Sequence, residues 1–221
     1  MSADDVTTAP LRAQLQERLD ANDKPGAVAA ALSAVERGEI GVSRLYALLG
    51  ALMADLGASW QSGTTPVWHE HLVSGIARTI VEALYPTVRA LAGAAPRRDR
   101  TVLLACPQDE SHDLGLRMLC DRFELAGWDT RMLGADSPTG DIAVAAETLG
   151  ADLIVLSAST HFHRMRIRAL LDDLHSVLPG VRVVVGGPAF SRDCCGLSDE
   201  EVMLPEEFFG EDGPDARPTE G

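Results

Sequence analysis

The chain has 221 residues, 46% of them hydrophobic and 24% charged, enough to bury one large core or two smaller ones. Its net charge of −14 opposes binding to phosphate backbones, which relies on clustered Lys and Arg, so direct nucleic-acid binding is not expected. No apolar run reaches the roughly 20 residues that span a bilayer, and the opening "MSADDVTTAP" places acids where a secretion signal carries positive charge; a cytoplasmic protein with no membrane association is expected.

Residues 8–93 read as a four-helix bundle. "LRAQLQERLDAND" and "GAVAAALSAVERG" are short amphipathic segments that stop at Asn22 and Gly38. In "VSRLYALLGALMADLGASW", Leu45, Leu48, Leu49, Leu52, Met53, Leu56 and Trp60 fall on one stripe at helical spacing. The turn "QSGTT" follows. Thr65 then reads as the N-cap and Pro66 as the first helical residue of "VWHEHLVSGIARTIVEALYPTVRALAG", a segment apolar on most sides, in which Trp68 is expected to be a bundle aromatic.

After the linker "AAPRRDR" the pattern changes. "TVLLAC", "WDTRML", "DLIVLS" and "VRVVVGG" alternate with helical segments, which implies βαβ units and a parallel sheet over residues 100–197. "EVML" and "PEEFF" are weak substitutes for the fifth strand and closing helix usual in this layout. From Ser198 onward nine acids stand against Arg217, and residues 198–221 are expected to be an acidic, disordered tail. Cys106, Cys120, Cys194 and Cys195 lack a repeated Cys-x-x-Cys spacing and read as reduced thiols; adjacency disfavours a disulfide between the last two.

In an open parallel sheet, ligands bind beyond the carboxyl ends of the strands, where strand order reverses. Three loops leave those ends. The first carries "DESHDLG", with His112 as a transition-metal ligand type, Glu110 placed to hold its other ring nitrogen, and Gly115 making room for a large flat group. The second carries Ser157, Ala158 and Ser159; the third carries Gly186 and Gly187, whose backbone can approach something long and narrow. Taken singly, each has a plainer explanation: a solvated turn, a helix cap, a turn before Pro188.

Together these residues resemble a known family. "ESHDLG" is similar to the Asp/Glu-x-His-x-x-Gly motif of cobalamin-binding domains, with the serine loop and the glycine pair following in the expected order. The resemblance implies a flavodoxin-like Rossmann domain, with His112 as lower cobalt ligand and the displaced nucleotide tail between the serine loop and Gly186–Gly187. Ser159 departs from the family, which has leucine there.

A second resemblance concerns the helical part. Trp60, nine residues, then Glu70 and His71 match the Trp-x9-Glu-His signature of CarH-type light-sensing regulators. It implies that Trp60 packs on the adenosyl group of adenosylcobalamin, that Glu70 accepts hydrogen bonds from its sugar, and that photolysis changes conformation, oligomeric state or partner binding. Gln61 replaces a histidine frequent after that tryptophan, which puts in doubt a light state with two histidine ligands. His69, His71 or water would then serve.

No helix-turn-helix segment precedes the bundle, so regulation is expected to pass through a protein partner such as a transcriptional regulator, without enzymatic activity. The alternatives are a methyl-carrying corrinoid protein, binding methylcobalamin or hydroxocobalamin, and simple cobalamin storage. His161 and His163 show no evident carboxylate partner and read as surface or tail-pocket residues; Trp128 reads as a core aromatic.

Overall fold

The structure, a computed structural model, describes residues 3–190, 197–198 and 200–209. Cys194, Cys195 and the acidic stretch beyond Phe209 lie outside these residues. The chain divides into a helical unit ending at Ala90 and an α/β unit beginning at Leu91.

The helical unit contains α1 (Ala3–Asp20), α2 (Lys24–Glu36), α3 (Val42–Gln61) and α4 (Val67–Ala94). Its helix ends follow local chemistry. Asn22 and Gly38 adopt positive φ (53° and 69°) just beyond α1 and α2. The Asp23 side chain accepts a hydrogen bond from the Gly26 N–H at 3.0 Å and so caps α2. At α4 the Pro66 carbonyl accepts from the N–H groups of His69 and Glu70, which makes Pro66 the residue before the helix, not its first member.

Leu45, Leu48, Leu49 and Leu52 of the α3 stripe are buried, as are Ile76, Ile80, Leu84 and Val88 of α4. The stripe then fades toward the helix end. Trp60 is 46% exposed. Trp68 is 62% exposed, which corrects its expected place inside the helical packing: it sits in the first turn of α4, before the buried run that begins at Val73.

The α/β unit runs β1 (Thr101–Pro107), α5 (Leu114–Leu125), β2 (Asp129–Ser137), α6 (Thr139–Leu149), β3 (Leu153–Ser157), α7 (His161–Val177), β4 (Arg182–Gly186) and α8 (Pro205–Phe209). All four strands are parallel, in the order β2-β1-β3-β4. Successive strand residues point to opposite faces, so β1 feeds two cores. Leu103 and Ala105 join Ile154, Leu156, Ile142 and Leu171 on one side. Val102, Leu104 and Cys106 join Val155, Leu116 and Phe123 on the other. Both faces are covered, which is why these strands are continuously apolar.

The weak fifth strand is real but minimal. Val202 bridges Val185 in parallel, with the Val185 N–H donating to the Glu201 carbonyl and the Met203 N–H donating to the Val185 carbonyl. The helix α8 then lays Phe208 and Phe209 against Phe123, with Trp128 at its edge. The acidic stretch counted from Ser198 therefore begins inside ordered structure at the sheet's edge.

A carboxylate secures that edge. Glu201 accepts two hydrogen bonds from Arg168 of α7 (2.9 and 3.1 Å) and further ones from the Ser198 N–H and hydroxyl. Hydrogen bonding to Arg168 lowers its pKa from 4.5 to about 2. A lowered folded-state value means that its contribution is present above pH 4.5 and lost as pH falls toward 2. Hydrogen exchange of the Val185 and Met203 amides should therefore accelerate across that window, and Glu201→Gln should exchange fast at neutral pH; exchange that ignores both changes would contradict the clamp.

Candidate functional site

Strand order reverses between β1 and β3, so the loops that follow these strands lie side by side at the carboxyl edge. The β1 loop makes a tight excursion. Asp109 takes φ 70°, its N–H donates to the Asp136 carboxylate at 2.9 Å, and the Asp136 N–H in turn donates to the Glu110 carbonyl at 2.9 Å. This reciprocal pair ties the loop to the end of β2 and turns the Glu110 side chain inward.

Glu110 is 1% exposed and fully used. Its Oε1 accepts the His112 N–H at 2.9 Å and faces His112 Nδ1 at 2.6 Å, while Oε2 accepts the Ser159 N–H at 2.6 Å. Burial pushes the carboxyl pKa up, but the backbone donors Ser159 and His112 and the imidazole outweigh it, so the net shift is below the ordinary value. The group is a carboxylate, which only accepts. His112 Nδ1 therefore carries the proton and Nε2 keeps its lone pair.

The His112 side chain is 65% exposed. One ring nitrogen is thus anchored and the other is presented to solvent as a neutral ligand atom. Beneath it, Cys106 is buried, and burial, then the charges of Glu110 and Asp113, push its thiol up to about 12. Gly115, in the first turn of α5, has open space where a Cβ would project.

The structure adds a residue that the sequence reading set aside. His163 is 6% exposed, not a surface residue, and has a carboxylate neighbour after all. Its Nδ1 lies 2.7 Å from the Thr160 hydroxyl and 3.3 Å from Glu110 Oε2, and its Nε2 lies 3.2 Å from the Gln108 carbonyl. The available signal was Thr160, which caps α7 by accepting the His163 N–H three residues on. The partnership with Glu110 spans 53 sequence positions and needed the fold to be seen.

Ser157 and Gly186 pair in register at the ends of β3 and β4. Gly187 has φ 96°, and a Cβ there would lie 2.6 Å from the Ala158 carbonyl oxygen and 2.9 Å from Ser157 Oγ. The close approach it allows is thus first of all the protein's own. Ser159 turns its N–H to Glu110, so it supports His112 as well as bordering the serine loop.

In the helical unit, the α3–α4 turn brings Trp60, Glu70 and His71 to one helix-hairpin end. Gly63, at φ 76°, donates its N–H to the Trp60 carbonyl, and Thr64 and Thr65 donate theirs to the Ser59 carbonyl. Glu70 accepts from the Ser74 hydroxyl at 2.5 Å and lies 3.5 Å from His71 Nε2. Val67, Trp68 and Leu72 are exposed beside Trp60, an apolar end rimmed by polar groups.

Among the described residues no three potential ligand side chains converge. The loop offers a metal one oriented imidazole, a donor set that fits cobalt already held in a corrin ring and lacking only an axial base. Gly187→Ala tests the neighbouring wall. It should destabilise the α/β unit by about 1–3 kcal/mol in urea unfolding, since φ and space both oppose a side chain; a neutral substitution would mean that the β3 and β4 loops are not held this closely.

Comparison with known proteins places this geometry. Residues 100–196 match the B12 binding domain family. The chain is 34% identical to the HTH-type transcriptional repressor CarH of Myxococcus xanthus over 143 residues, 64% of this chain and 46% of that protein. It is 32% identical to the repressor CarA of the same organism over 121 residues, 55% of this chain and 40% of that protein. The chain thus spans less than half the length of the curated relatives it matches. The fold superposes on the Methanosarcina barkeri monomethylamine corrinoid protein with a TM-score of 0.71 at 16% identity, covering 84% of this chain and 87% of the other. Residues 100–196 are therefore a B12 binding domain, carried in a chain that resembles the CarH-type repressors.

Proposed function

We propose that this protein is an adenosylcobalamin-dependent light sensor, not an enzyme, that regulates transcription in the cytoplasm through a partner protein. The observation that carries the cofactor reading is the Glu110–His112 contact at 2.6 Å, which leaves Nε2 exposed as an axial base. Likeness to two transcriptional repressors supports the regulatory part. The net charge of −14 favours a protein partner over direct contact with DNA.

When bound, adenosylcobalamin supplies a cobalt–carbon bond that green light cleaves. The chain's own residues bind and couple. Glu110 fixes the tautomer and angle of His112, so ligation needs little rearrangement. Gly115 leaves room for the flat ring, and Ser157 with Gly186 and Gly187 borders the route of the nucleotide tail. Trp60 offers a large, half-exposed apolar face for adenine, and Glu70 offers carboxylate oxygens for ribose hydroxyls. His71 beside Glu70 is a candidate base for the opposite cobalt face. Loss of the adenosyl contacts would free the Trp60 end to change partner or oligomeric state.

A methyl-carrying role, with methylcobalamin or hydroxocobalamin, is the second reading, favoured by the fold shared with the monomethylamine corrinoid protein.

The test is an absorption spectrum with adenosylcobalamin in darkness, repeated after green light together with gel filtration. The sensor reading expects a histidine-ligated alkyl spectrum, photoconversion with the corrin retained, and a shifted elution volume. Rejection of the adenosyl form with binding of methylcobalamin would favour the carrier. His112→Ala should move the dark spectrum away from histidine ligation and weaken retention roughly 10- to 100-fold. Trp60→Ala should keep corrin binding but lower the preference for the adenosyl form; an unchanged preference would remove Trp60 from the adenosyl site.

A further inference from the structure

We propose that His163 is a positioning residue for His112, acting through Glu110. The inference rests on the reading of His112 as the axial base and assigns a role to an imidazole that is buried, polar on both nitrogens, and separate from the metal-facing surface. The Gln108 carbonyl can only accept, so the 3.2 Å contact places a proton on His163 Nε2. The ring thereby ties the β1 loop, at Gln108, to the first turn of α7, at Thr160.

Between those two anchors stands Glu110 Oε2, 3.3 Å from Nδ1. Each oxygen of Glu110 consequently has its own side: Oε1 takes both His112 donors, while Oε2 is confined by the Ser159 N–H and the His163 ring. For the carboxylate to turn away from His112, Oε2 would have to enter the volume that His163 fills. Phe162 closes the arrangement from outside. Its ring meets that of His163 edge-on at 5.3 Å and is itself covered by the Arg166 guanidinium at 5.1 Å.

A purely structural histidine would affect stability and leave the ligand angle alone. His163 is instead coupled to the orientation of a ring it does not touch, because a ligand imidazole is aimed by whatever aims its supporting carboxylate. The side chains His112, Glu110 and His163 thus form one line, from exposed Nε2 to the buried Gln108 carbonyl.

The variants that test this are His163→Phe, which fills the volume without either hydrogen bond, and His163→Gln, which retains a donor and an acceptor. Two readouts are needed besides the melting temperature. The first, on the cofactor-free protein, is the ring-nitrogen shift pattern of His112 by long-range proton–nitrogen correlation. Wild type should read as the Nδ1-protonated tautomer, His163→Phe should shift toward a mixture, and His163→Gln should restore the wild-type pattern. The second is the three-line nitrogen splitting in the electron paramagnetic resonance spectrum of bound cob(II)alamin. His163→Phe should lose most of it and release cobalamin roughly ten-fold more readily, with His163→Gln close to wild type.

A His112 pattern and a splitting that are unchanged in His163→Phe would overturn the proposal, as would a His163→Gln protein indistinguishable from His163→Phe. Absence of the splitting in wild type would instead sink the axial-base reading, and the cofactor-free pattern would still decide whether His163 sets His112.

Discussion

Everything at the carboxyl edge of the sheet depends on burying one negative charge. A carboxylate with 1% exposure is costly unless its lone pairs are taken up. Glu110 meets that condition by recruiting two backbone N–H groups and an imidazole from separate stretches of chain. The loop after β1 and the start of α7 must therefore be in place together, or the charge is left uncompensated. The exposed histidine is a by-product of that requirement as much as its purpose: the most favourable location for its Nδ1–H is also the one that turns Nε2 outward.

Parallel topology made the meeting of these stretches predictable. Alternating apolar runs and helices, with "VRVVV" covered on both faces, were enough to indicate a doubly covered sheet, and the reversal point between β1 and β3 then selects the loops that count. Glu110 and His112 were legible because their contact is two residues long in sequence. His163 was not, because its partners Gln108 and Glu110 come from the other side of the switch point. Its spacing from His161 drew attention to the wrong relation, one along the helix, when the relevant one ran across the sheet.

The helical unit shows the opposite balance. Its α3 periodicity located the buried residues well through Leu52, yet the same stripe extrapolated to Trp60 passes into solvent, and Trp68 behaves likewise. Hydrophobic spacing reports which face of a helix is apolar and says nothing of where along that face the packing stops. An apolar end left open in this way is more informative about binding than a buried one. The reduced fifth strand belongs to the same lesson: "EVML" was weak in sequence because a single bridge to Val185 is all it forms.

The depth of Cys106 has a chemical consequence of its own. Thiolate sulfur is a soft, strongly competing donor toward transition metals, and this chain places a sulfur atom one layer below the imidazole. With its proton held to about pH 12 and its side chain enclosed by the β1 core, that sulfur is withdrawn from coordination and from oxidation alike. The choice of nitrogen over sulfur at this edge is thus made by burial and not by composition. The same enclosure leaves the loop chemically quiet in the presence of a redox-active metal.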